Sequence, residues 1–172
     1  AVMLSAESAA GNYPVEAVRT MHNVAVSVES DSTYAQVIAA FRTVERSTVA
    51  DGIVAAAREI AESTDIKAIC CFTESGTTAI KVARERPQLP ILALSPSVFT
   101  LRRLCLVWGV RCFATGKIER FKSAVVSAAR AARENGFAVE TDQIVVTAGV
   151  PFNVPGTTNI LRVAPCDERL IY

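Results

Sequence analysis

Apolar residues recur at helical spacing through Val15, Val18, Met21, Val24 and Val28, which predicts a helix over 15–30. Before it, the apolar run AVMLS predicts a strand, followed by a small-residue turn and the Tyr13-Pro14 pair. The polar stretch from Glu29 to Thr33 breaks the pattern, and residues 1–28 are expected to be organised separately from residues 29–172. A short helix is predicted over 33–40 and a second from about Thr48 to Ser63, while Phe41 to Ser47 shows no clear period. From there the chain alternates. KAICCFT (67–73) reads as a strand before a helix at 77–86, and PILALS (90–95) as a strand before a helix at 97–108. VRCFAT (110–115) leads to a helix at 117–134 that Asn135-Gly136 stops. DQIVVTAG (142–149) and NILRVAP (159–165) are the last two strands.

Short, doubly apolar strands alternating with helices imply a parallel sheet covered on both faces. The last connection has no helix, so the fifth strand is expected to return antiparallel beside the fourth. The fold class is therefore α/β: a three-layer α/β/α sandwich with four parallel strands and one antiparallel edge.

Composition narrows the function. The 172 residues are 51% hydrophobic, with a mean hydropathy of +0.31, enough for a sizeable core and some apolar surface. Eighteen basic and seventeen acidic residues leave +1, without the basic stripe of a nucleic-acid-binding domain. No apolar run reaches the roughly 18 residues of a membrane span, and the N-terminus lacks the pattern of a signal peptide. Neither nucleic acid nor membrane is expected as a partner. Five cysteines, Cys70, Cys71, Cys105, Cys112 and Cys166, are odd in number and contain no C-x-x-C pair. They read as small buried hydrophobes of a reducing cytoplasm.

Candidate chemistry concentrates in two loops. Thr73-Glu74-Ser75-Gly76-Thr77-Thr78 follows the first core strand and opens a helix. Such a loop aims backbone N–H groups and the positive helix end at one point, which suits a phosphate. Gly76 permits close backbone approach. The loop is neither a Walker loop nor a G-x-S-x-G elbow. The alternative is structural, with Thr77 capping the helix while Ser75 and Thr73 hold the turn. The second loop carries Gly156-Thr157-Thr158-Asn159 and by itself reads as a tight connection to the antiparallel strand. If the first and fourth strands are neighbours, both loops meet at the switch point where open α/β sheets bind ligands. Lys117, Arg120 and Lys122 follow the third strand at the same sheet edge, as phosphate partners or as a solvated helix face. The single histidine, His22, reads as an exposed or interface residue.

Four segments in order, LSAES…GNYPVEAVRTM, FTESGTTAIKVARERPQLPILALSP, LRRLCLVWGV and DQIVVTAG…GTTN, closely resemble pyruvate kinases, and the resemblance spans essentially the whole chain. It implies that residues 1 to about 28 are the last strand and helix of a TIM-like catalytic barrel. The remainder would be the C-terminal α/β domain, with sheet order 3-2-1-4-5. The resemblance further implies an allosteric phosphate site at Thr73, Ser75, Gly76, Thr77, Thr78, Gly156 and Thr157, and a homo-oligomer, a tetramer, packed through this domain. Ser5 and Glu7 resemble residues near the mouth of the barrel's active site. Mg²⁺ and K⁺ would serve the whole cytoplasmic enzyme, which transfers phosphoryl from phosphoenolpyruvate to ADP in glycolysis. No complete catalytic set is expected within these residues, so the piece alone is expected to be inactive. The region after the third strand reads ATGKIERFKSAV, without the Trp that the fructose 1,6-bisphosphate-activated enzymes place there. The resemblance therefore leaves a monophosphate such as AMP or ribose 5-phosphate open beside the bisphosphate. Two other readings stand: a free-standing enzyme on a phosphorylated metabolite, an isomerase or phosphatase, and a purely structural assembly domain.

Overall fold

A computed structural model describes residues 2–41, 48–152, 154 and 157–171. The chain divides into two compact units, Ala1–Glu45 and Arg46–Tyr172. The first contains α1 (Ala6–Ala9), α2 (Pro14–Glu29) and α3 (Ser32–Phe41). Pro14 opens α2, where its missing N–H costs no hydrogen bond. No residue of α2 is buried, and Val15, Val18, Val24 and Val28 are all exposed. The apolar run at 2–5 forms no strand, because its backbone groups find no pairing strand among the described residues of this unit. The polar break at 29–33 separates α2 from α3 inside the first unit, so the two units part later than the expected 28/29 boundary.

The second unit is an α/β sandwich. Its elements are α4 (Val49–Ser63), β1 (Ile66–Phe72), α5 (Thr77–Arg84), β2 (Ile91–Ser95), α6 (Val98–Leu104), β3 (Val110–Ala114), α7 (Phe121–Glu134), β4 (Gln143–Gly149) and β5 (Thr158–Pro165). A 3₁₀ turn at Glu168–Leu170 follows. The sheet runs β3-β2-β1-β4-β5, parallel except for the antiparallel β4–β5 pair, as the missing helix required. Alternation along β1 sends Ala68, Cys70 and Phe72 to one face and Ile69 and Cys71 to the other. Ala124, Ala128 and Ala132 of α7 cover the first face, their small side chains letting the helix backbone close on the sheet. Val54, Ala57 and Ala61 of α4 cover the second, with Ala79 and Val82 of α5 and Leu104 of α6. A capping box starts α4: Asp51 N donates to Thr48 Oγ1 at 3.2 Å, and Thr48 N donates to Asp51 Oδ2 at 3.1 Å.

Three helices are shorter than their sequence period suggested, α5 by its last two residues and the next two by more. α6 ends at Leu104 because the chain tightens there, with Val107 N bonded to Leu104 O, before Gly109 turns at φ +70. α7 begins at Phe121 rather than 117, since Ile118 is drawn into the core and holds residues 117–119 out of the helix.

Candidate functional site

β1 and β4 are adjacent, so the segments leaving their carboxyl ends rise side by side where the strand order reverses. After β1 the backbone turns into α5 through Gly76, which sits at φ +90 and caps the helix. The turn is held from within by Gly76 N donating to Thr73 Oγ1 at 2.9 Å. It is held from outside by Thr100 Oγ1 of α6 donating to Glu74 O at 2.7 Å. A Cβ on Gly76 would lie 3.2 Å from Leu104 Cδ2 and 3.3 Å from Thr100 Cγ2. Glycine is thus required twice, by conformation and by space.

No side chain caps α5, whereas Thr48 caps α4 and Ser97 caps α6. The first intrahelical bond belongs to Ile80 N, donated to Gly76 O. The amides of Thr77, Thr78 and Ala79 therefore lie ahead of the helix's own ladder, at its positive end. Ser75 and Thr77 present exposed hydroxyls 2.9 Å apart, in a hydrogen bond that either can donate. Thr78 lines the same cleft, and its buried Oγ1 lies 2.6 Å from Thr158 Oγ1 at the start of β5.

That second contact ties the two loops together. Gly149 ends β4 so close to Thr157 that a Cβ would meet its Oγ1 at 2.6 Å. Asn159 is the extra residue where the β4–β5 register shifts, and its amide clamps the departing strand. Val150 N donates to Asn159 Oδ1 at 2.9 Å, and Asn159 Nδ2 donates to Val150 O at 2.6 Å. Thr157 Oγ1 donates to Val154 O at 2.8 Å.

Between the loops lies an open cleft of about 60 Å³, floored by Phe72 and Leu94 and walled by Ser75, Thr77, Thr115, Phe152 and Thr157. A water needs roughly 10–15 Å³ by this measure, so the cleft admits about four or five waters, the scale of one phosphoryl group. Among the described lining residues there is no lysine or arginine, and Glu74 is the one carboxylate. Positive potential here comes from amides and a helix end rather than from side-chain cations.

Thr73, Ser75, Thr77, Thr78 and Thr157 thus line one cleft; Gly76 caps α5 in the same loop without lining it, and Gly156 lies outside the described residues. Lys117 is exposed next to the lining residues Gly116 and Ile118; Arg120 and Lys122 are exposed around the start of α7. Ser5 precedes α1 without capping it through its side chain, Glu7 is exposed in α1, and both belong to the other unit. Sequence reasoning missed Thr100, whose signal was a hydroxyl in the first turn of α6, and the pairing of Thr158 with Thr78. It also placed all five cysteines in the interior, whereas Cys105 is exposed and Cys112 half-buried. Cys105 follows the early end of α6 and therefore escapes the core.

The family model described as "Pyruvate kinase, alpha/beta domain" matches residues 51–164. The chain belongs to the pyruvate kinase family. Over 95% of its length it is 42% identical to a pyruvate kinase of Methylorubrum extorquens and 42% identical to one of Agrobacterium vitis. It spans about a third of those relatives, 34% in each case. A solved Cryptosporidium parvum pyruvate kinase in complex with ADP superposes with a TM-score of 0.79 at 28% identity. That match covers 96% of this chain and 33% of the other. The 3-2-1-4-5 sheet is that of the pyruvate kinase alpha/beta domain. Among the described residues no helix is long and apolar enough to cross a membrane.

Proposed function

We propose that this chain is the regulatory and assembly part of a pyruvate kinase, and that its cleft receives the phosphate of a small effector. The observation that carries the reading is the uncapped start of α5, facing a phosphoryl-sized space bordered by the hydroxyls of Ser75, Thr77 and Thr157. Backbone amides at a helix start hold an oxyanion without a lysine or arginine. With no cation among the described lining residues and Glu74 at the rim, a monophosphate such as AMP or ribose 5-phosphate fits the electrostatics better than fructose 1,6-bisphosphate. The whole enzyme transfers phosphoryl from phosphoenolpyruvate to ADP in the cytoplasm, with its catalytic barrel and Mg²⁺ and K⁺. Among the described residues no group of three or more His, Cys, Asp or Glu side chains converges on a metal position. The described residues thus supply no such side-chain donor cluster for those ions.

A free-standing isomerase or phosphatase needs a general base beside the phosphate, and Glu74 is the one carboxylate at the described cleft. The structural reading has one observation in its favour, since the Thr73 hydroxyl is already engaged by Gly76 N. Thermal unfolding with inorganic phosphate, AMP, ribose 5-phosphate and fructose 1,6-bisphosphate separates the readings. Saturation at a hundred times the dissociation constant stabilises by about 2.7 kcal/mol, and Ser75→Asp abolishes the effect by charge repulsion. A flat response across the panel leaves only the structural reading. Pyruvate formation from phosphoenolpyruvate and ADP by the chain alone would overturn its assignment as a non-catalytic part.

A further inference from the structure

A second cavity opens beside the phosphate cleft, where α7 begins. It holds about 400 Å³, within the range of small-molecule sites, and is lined by Glu119, Phe121, Val150, Pro151, Phe152 and Ile160. Three stretches of chain serve both spaces. Ile118, Gly149 and Thr158 border the cleft, while Glu119, Val150 and Ile160, one or two residues further along, border the cavity. Consecutive Cα atoms lie about 3.8 Å apart and alternate residues of a strand about 7 Å apart, so the spaces are separated by the span of one pentose. Phe152 lines both. Phe121 and Phe152 are half-buried against the core that α7 covers, which limits the freedom of their rings.

The lining decides what this space can take. Among its described residues there is no lysine or arginine, and its one charge is the exposed carboxylate of Glu119. Lys117, Arg120 and Lys122 are close in sequence but line neither space. A second phosphate would meet the Glu119 charge without a cation from the lining. A sugar ring would turn hydroxyls toward Pro151, Ile160 and two phenyl rings, where they find no partner. A flat heteroaromatic base suits aromatic walls, because every base offers a π-face. An ionised carboxylate only accepts hydrogen bonds, so the base must carry a donor at that edge. Resting on the phosphate reading above, we infer that the effector is a nucleoside 5′-monophosphate, its phosphate in the cleft at the start of α5 and its amine-bearing base in this second cavity against Phe121 and Phe152. The ribose bridges the two spaces, and the exocyclic amine, such as that of adenine, donates to Glu119.

Isothermal titration calorimetry on the purified chain compares four ligands. These are AMP, purine riboside 5′-monophosphate (which lacks the amine), ribose 5-phosphate (which lacks the base) and fructose 1,6-bisphosphate. AMP is expected to bind about tenfold more tightly than ribose 5-phosphate through its base, with the purine riboside ester between them. Phe121→Ala brings AMP down to the level of ribose 5-phosphate and leaves ribose 5-phosphate itself unchanged. Far-UV circular dichroism checks that this variant is folded. Glu119→Gln, at an exposed position, carries the test independently: it weakens AMP and leaves the purine riboside ester as in the wild type. Equal affinity for AMP and ribose 5-phosphate, equal weakening of both in folded Phe121→Ala, or tighter binding of the bisphosphate than of AMP overturns this inference and leaves the phosphate cleft standing. Binding of none of the four overturns both.

Discussion

Replacing Gly76 by alanine tests whether the start of α5 is built for a ligand. At φ +90 an L-residue incurs about 1–2 kcal/mol from its Cβ alone. The added methyl then lies 3.2 Å from Leu104 Cδ2 and 3.3 Å from Thr100 Cγ2. Leu104 is only 1% exposed, so it cannot swing into solvent, and crowding adds about 1 kcal/mol more. The total of about 2–3 kcal/mol lowers the melting temperature by roughly 6–12 °C for a domain of this size. Gly136→Ala is the matched control, because Gly136 has φ +73 but nothing within 4 Å of the new Cβ. It loses only the conformational part, about 1–2 kcal/mol. The two variants and the wild type are compared by calorimetry with and without a saturating monophosphate. Gly76→Ala moves the amides of residues 77–79, and its affinity for phosphate falls about tenfold, or about 1.4 kcal/mol. Gly136→Ala binds as the wild type does. Equal destabilisation of both variants, together with an unchanged phosphate response in Gly76→Ala, would refute the reasoning.

Thr78→Val leaves the buried Thr158 hydroxyl without its 2.6 Å partner and costs about 1–3 kcal/mol in urea unfolding, whereas the Thr78→Val, Thr158→Val double variant recovers part of that loss. A double variant less stable than the sum of the singles would show that the two hydroxyls do not satisfy one another. Hydrogen bonds from the Lys81 ammonium and then the Thr48 hydroxyl hold Asp51 down to about 2. A carboxylate depressed in the folded state stabilises above its ordinary value and loses that contribution as pH falls. The loss should run from just below pH 4 to about pH 2, and Asp51→Asn should flatten the acid limb of the stability curve there. An unchanged limb would assign the acid sensitivity to other groups.

Much of the sheet was readable because its strands are apolar on both faces: Ile69, Cys70, Cys71, Ile91 and Leu92 leave no face for water. The missing helix after β4 sufficed to reverse β5. Helix ends were harder, because periodicity continues past the point where tertiary contacts stop a helix. Val107 keeps helical spacing with Leu104 yet packs into the core from a bend, and Ile118 does so from an irregular segment. At the site, the glycine and hydroxyl cluster was visible in Ser75-Gly76-Thr77-Thr78. Its supports were not, since Thr100 and Thr158 approach from other elements and no local spacing encodes those contacts. The opening strand failed for a related reason: an apolar run becomes a strand only where another strand accepts its hydrogen bonds.

The Thr78–Thr158 hydrogen bond joins residues eighty positions apart, and this sets a timetable for the cleft. During synthesis β1, its glycine turn and α5 emerge long before β5, and domains fold as their last elements arrive. An early intermediate can hold four parallel strands while the Thr73–Thr78 loop still lacks its contact to Thr158. Phosphate affinity would then appear only with the final strand, so a bound monophosphate would act as a clasp on the last folding step. A chain ending near residue 150 would be the test, because it would keep the whole Thr73–Thr78 motif and yet lose the response.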